Sequence, residues 1–172
     1  ESDEVFYTGE SPAKLKKSDI EKLKKKVRKN QRCRIRICTH PSINDALHEM
    51  IIVLAQGVYV PPHRHIGKSE SYHVIDGEID ILLFDDSGNV RDRIEMGSLK
   101  QDRFFYFRLQ ECVFHTLIPR SDIVTFHETT NGPFRPALTE VAKWAPDASE
   151  TDAGLRYIRM LDETYLRGLL SK

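Results

Sequence analysis

Gly57-Val58-Tyr59-Val60-Pro61-Pro62-His63-Arg64-His65, followed by Glu70 and Gly77, is the stretch on which the reading of this chain turns. On a strand, side chains alternate between faces. His63 and His65 therefore project to one side, roughly 6.6 Å apart at the backbone, where both imidazoles can reach one ion at about 2.1 Å. Arg64, between them, points the other way. The segment Ile66-Gly67-Lys68-Ser69 can turn the chain so that Glu70 opens the next strand with its carboxylate aimed at the same point. His115, on a later strand that returns beside the first two, supplies a fourth ligand. Three imidazoles and one carboxylate leave open positions on a five- or six-coordinate ion, which a catalytic metal needs and a structural zinc usually lacks. The expected cofactor is thus one divalent metal ion held by His63, His65, Glu70 and His115. Zinc, nickel, iron and manganese all suit such ligands.

Upstream, Ser18-Asp19-Ile20-Glu21 reads as a capping box that starts a helix over residues 18–30, with Ile20, Leu23 and Val27 as a narrow apolar stripe among lysines. The lysines read as a solvated face. From Cys33 the period changes to two, with Ile35 and Ile37 alternating with Arg34 and Arg36. Strands are predicted at 50–55, preferred over a helix for its β-branched content, and at 57–60. Others are predicted along the apolar stretch 74–84 and at 104–109, 113–118 and 123–128, with turns at 85–89 and 119–122. Asn131-Gly132-Pro133 and Trp144-Ala145-Pro146-Asp147 bracket a segment without period that wraps the strands. Leu155, Ile158, Leu161, Tyr165, Leu166 and Leu169 then predict a closing amphipathic helix. No internal repeat is evident.

The spacing glycine, five residues, HxH, four residues, Glu, six residues, Gly reproduces the first cupin motif in full at Gly57, His63, His65, Glu70 and Gly77. The second motif is kept only in Gly97 and His115, with Gln110, Cys112 and Pro119 where Pro, Gly and Asn are usual. Finer matches run through residues 33–147: Leu47-His48-Glu49-Met50, Tyr59 to His65, Lys68-Ser69-Glu70-Ser71, Phe84 to Gly88, His115-Thr116-Leu117-Ile118 and Phe126 to Phe134. In these the chain resembles the WbuC family of cupin metalloproteins. The resemblance implies an all-β fold, a single cupin (jelly-roll) β-barrel over 33–147, with an N-terminal helical extension at 1–32 and a C-terminal helix packing on the barrel at 148–172. It also implies a role in bacterial surface polysaccharide (O-antigen or lipopolysaccharide) sugar biosynthesis or modification. Isomerase- or epimerase-type chemistry through the metal is the leading reading. An iron-dependent dioxygenase and a non-catalytic sugar-binding or regulatory cupin are the alternatives. No catalytic residue is assigned.

Candidate contacts for a sugar or nucleotide-sugar ligand are Tyr59, Lys68, Tyr72, Tyr106, His127, Glu128 and Asn131, each with packing, a turn or a solvated charge as the plainer reading. His73 should point outward and Arg64 should be structural. No role follows for His40 or His48, and Cys112 reads as a small filler. At 172 residues one domain is expected. The 26 basic and 26 acidic residues cancel, so no field draws the chain to nucleic acid. No apolar run approaches the roughly 20 residues of a membrane span. Three unpaired cysteines suit a reducing compartment, the cytoplasm. The chain opens at Glu1 without a leader, which leaves a removed segment open. A homodimer is expected, with the Arg/Ile strand as a candidate edge.

Overall fold

In the computed structural model, which describes the backbone of residues 3–170 and the side chains of residues 3–164, eleven strands and two helices are laid out as two sheets. The first sheet holds, in spatial order, β1 (Val5–Tyr7), β2 (Arg34–Cys38), β3 (Leu47–Ala55), β10 (Ile123–Asn131), β5 (Glu70–Asp76) and β8 (Tyr106–Leu109). The second holds β11 (Thr139–Val141), β4 (His63–His65), β9 (Phe114–Pro119), β6 (Glu78–Phe84) and β7 (Val90–Gly97). Of the expected single jelly-roll barrel, the mostly-β, two-sheet architecture is present, with the sheets face to face; among the described residues hydrogen bonding does not close them into one cylinder. Among the described residues no helix is long and apolar enough to cross a membrane.

Between the sheets the inward residues Leu54, Tyr72, Val74, Ile79, Ile81, Met96, Val124 and Phe126 form one cluster. The expected strand over 74–84 is two strands, broken at Gly77. That residue has φ +86°, and a Cβ there would lie 2.5 Å from the Ile123 carbonyl, so only glycine makes the hairpin. The expected strand at 57–60 is not one. Gly57 is in a turn, and pairing resumes only at His63.

Helix α1 spans Lys17–Val27 and buries Leu23 and Val27 on Ile35, Val53 and Ala55. Its cap is not Ser18. Lys16 is the cap residue, and Asp19 accepts the Lys16 backbone N–H at 3.1 Å. β2 is not an edge either, because β1 pairs with it in parallel and takes the edge position. The boundary placed at residue 32 therefore separates two hydrogen-bonded strands. Helix α2 spans Thr151–Leu170, and Leu161 packs on Phe84, Phe114 and Ile118. The helix lies so close to Tyr59 that a Cβ at Gly154 would sit 2.2 Å from its ring. Tyr165, Leu166 and Leu169, expected on the same stripe, have side chains outside the described residues.

Candidate metal centre

β4 is only three residues long, yet it puts His63 and His65 on one face, and His63 sits directly opposite His115 on β9. The three rings lie 4.5 to 5.8 Å apart between centroids, and one ring nitrogen from each falls in a group no wider than 4.8 Å. Their δ nitrogens are turned outward. His63 Nδ1 meets the Pro61 carbonyl at 2.9 Å, His115 Nδ1 the Val113 carbonyl at 3.1 Å, and His65 Nδ1 the Thr139 hydroxyl at 3.1 Å. A carbonyl can only accept, so it fixes the proton on Nδ1 and leaves the Nε2 lone pair of His63 and His115 free, as in histidines that ligate metals.

Glu70 opens β5 in the opposite sheet and faces this group. Its Oε1 is 2.8 Å from His115 Nε2 and its Oε2 3.5 Å from His65 Nε2. Tyr72 holds that carboxylate by donating its hydroxyl to Oε2 at 2.7 Å. His115 Nε2 is buried and lacks an aligned hydrogen bond despite the short distance to Glu70. A buried nitrogen left in that condition fits a cation between the groups better than it fits a closed polar network. Burial, helped by His115, depresses His63 to about 3, and burial also lowers His65. For His115 burial acts the same way but the Glu70 carboxylate outweighs it and raises the imidazole. Burial likewise opposes ionisation of Glu70, and the His115 contact overcomes it, holding the carboxyl near about 2. Two neutral-leaning imidazoles, a third held against the carboxylate, and one ionised carboxylate form a donor set suited to a divalent cation, which would take the place of the proton that Glu70 favours on His115.

The group opens into a cavity of about 500 Å³. Of the expected ligand contacts, Lys68, Tyr72 and Glu128 line it. The others do not. Tyr59 is turned under α2 and donates its hydroxyl to the Pro146 carbonyl at 2.8 Å. Tyr106 is exposed on the edge strand β8. His127 has the outward parity of β10 and lies 3.7 Å from Glu49. Asn131 Oδ1 accepts the Ser69 backbone N–H at 2.9 Å, which ties the loop before Glu70 to β10. As expected, Arg64 points away from the centre, onto Glu140, Asp86 and the face of Phe114, and His73 packs outward on Phe105. Arg34, Arg36, Cys38 and His48 also line the cavity and were not anticipated. The alternation along β2 was the signal for Arg34, Arg36 and Cys38; His48 lies on β3.

Glu128 stands in register with Met50 and Tyr72, and burial and then the Glu70 charge raise its carboxyl to about 7. A carboxyl whose folded pKa exceeds its unfolded value, here 4.5, contributes stability below 4.5 that is lost as pH rises through about 7. In chelator-treated protein, Glu128→Gln is therefore expected to melt higher than the parent at pH 8, with the gap closing by pH 5. A gap independent of pH means that Glu128 does not titrate as described.

Compared with known proteins, a family model described as a domain of unknown function (DUF6016) matches residues 15–96. No curated protein matches the sequence. Similar solved structures include CapF in complex with the inhibitor 3-isopropenyl-tropolone, at 16% identity and TM-score 0.52 over 65% of this chain and 32% of that one. A cupin superfamily protein of Desulfitobacterium hafniense matches at 13% identity and TM-score 0.45, over 57% of this chain and 76% of that one. The oxalate decarboxylase of Bacillus subtilis, a protein with Mn(II) centres, matches at 13% identity and TM-score 0.45, over 56% of this chain and 24% of that one. The chain thus spans about a third of the length of CapF and about a quarter of the decarboxylase. With CapF it shares a fold.

Proposed function

We propose that His63, His65, Glu70 and His115 hold one divalent cation at the inner end of the cavity, and that the protein acts through it on a sugar or nucleotide-sugar in isomerase- or epimerase-type chemistry. One observation carries the reading: three imidazoles meet at one point with their δ nitrogens directed outward, and a buried carboxylate closes on two of them. When bound, such an ion would act as a Lewis acid on a ligand oxygen. The chain's own groups do the rest. Tyr72 fixes the orientation of Glu70. Glu128, raised toward neutrality by burial and Glu70, can hold or release a proton at its carboxyl oxygen within the same cavity. Met50, Ile52, Leu54 and Phe126 line the wall with apolar surface that limits water. The motifs shared with the WbuC family support the assignment to surface polysaccharide sugars. A cytoplasmic homodimer pairing through the β1 edge completes the reading.

Elemental mass spectrometry of untagged protein tests the ion, and thermal shift of the loaded protein with a panel of sugar nucleotides tests the ligand. About one equivalent of zinc, nickel or manganese, with stabilisation by a sugar nucleotide, is the expected result. Iron with oxygen consumption would move the chemistry to oxygenation. Absence of metal after reconstitution removes the reading, and a monomer in light scattering removes the dimer.

A further inference from the structure

Along β2, Ile35 and Ile37 pack outward against α1. By the two-residue period Arg34 and Arg36 point the opposite way, into the cavity, beside their cross-strand partners Leu54 and Ile52. The cavity wall carries four cations, Arg32, Arg34, Arg36 and Lys68, against three carboxylates, Glu4, Glu70 and Glu128. Glu4 is shared by Arg32 at 3.4 Å and Arg34 at 3.1 Å, and Glu70 is engaged by the histidines. Arg36 is exposed at the mouth of the cavity, makes no ion pair within contact distance among the described residues, and has Glu128, whose carboxyl its charge lowers, as the nearer carboxylate of that wall. A guanidinium at a cavity mouth that no carboxylate engages by hydrogen bonds keeps its planar donor edge for a carboxylate or phosphate.

The sheet register fixes how far this pole lies from the metal centre. Arg36 is level with Ile52, Phe126 and Val74, whereas Glu70 is level with Thr130 and His48. The two positions are three strands apart and four residues apart along the strands, roughly 20 Å between backbones by ordinary sheet spacings. No single small anion touches both.

We propose that Arg36 binds the anionic group, carboxylate or phosphate, of an extended ligand whose other end reaches the histidine centre. The metal end rests on the function proposed above; the arginine end does not. A neutral sugar leaves Arg36 unused, so the ligand class narrows to phosphorylated or acidic sugars, sugar nucleotides included.

Calorimetric titration with glucose 1-phosphate, glucuronate and glucose tests this, on parent and Arg36→Gln protein whose metal content is measured separately. One or both anions should bind the parent more tightly than glucose does, and the variant should lose roughly ten- to a hundredfold in that affinity while keeping its metal. Arg36→Lys should recover part of it, and added salt should weaken it. Preference for glucose 1-phosphate names phosphate as the group, and preference for glucuronate names carboxylate. Anions that bind no better than glucose, or that bind Arg36→Gln as well as the parent, overturn the proposal. Anion binding through Arg36 in a protein that takes up no metal removes the metal reading and leaves this one standing.

Discussion

Replacing His115 by alanine is expected to take bound metal from about one equivalent to none, with loss of affinity well beyond the ten- to hundredfold that supporting residues of metal sites typically carry. His115 is fully buried, directly opposite His63, and is the imidazole closest to Glu70. Its removal takes away one donor and the partner that keeps Glu70 ionised, so burial would push the Glu70 carboxyl upward and weaken a second donor. Tyr72→Phe gives the graded comparison. It deletes only the hydroxyl that donates to Glu70 Oε2, and a ten- to hundredfold weaker affinity is expected, about what such supporting contacts contribute. Competition with a chelating dye, followed by elemental analysis after dialysis, separates the two. Circular dichroism controls for folding. His115→Ala protein that keeps stoichiometric metal removes the site as described.

The histidines and Glu70 were legible because strand parity is local: HxH on a strand shares a face whatever surrounds it, and His115 needed only a strand that returns. What parity leaves open is which face becomes the interior. Along β2 the isoleucines pack under α1 and the arginines enter the cavity, an outcome decided by a helix some ten residues earlier. Tyr59 and Tyr72 show the same limit. Both are buried phenols near the motif. One supports the Glu70 carboxylate, and the other is trapped between Gly154 and the Pro146 carbonyl because α2 closes over it. β1 and β11 are three residues each, too short for a period to register, and β1 is placed by contacts distant in sequence, its pairing with β2 and the packing of Phe6 beside α1. α2 also meets the sheet through charges far apart in the sequence, Asp162 with Arg93 and Arg120, which no local pattern discloses.

Those charges carry the largest stability effect expected outside the metal centre. Asp80, on β6, is 1% exposed. Its Oδ2 lies 2.6 Å from Arg120 Nε and 2.5 Å from Arg93 Nη2, and Arg120 reaches Asp162 of α2 through two nitrogens at 2.6 and 2.7 Å. Asp80→Ala leaves two guanidinium groups close together and removes their most buried counter-charge, the more exposed Asp162 and, for Arg93, Glu95 remaining. Breaking one side of a buried ionic network in this way costs about 3–5 kcal/mol, or roughly 6–20 °C in Tm for a domain of this size. The surface pair of Lys22 with Asp19 offers the contrast, since Lys22→Ala should leave the melting temperature nearly unchanged. Salt distinguishes the two cases further, because a buried network is screened little. Asp162→Ala should cost less than Asp80→Ala, since Asp80 remains to balance Arg93 and Arg120, and its effect should fall on α2, seen as faster amide exchange around Leu161. If Asp80→Ala melts within about 2 °C of the parent, under one kcal/mol at this chain length, the network does not hold the helix. Leu161, Tyr157, Ile158 and Trp144 would then dock α2 by apolar contact alone.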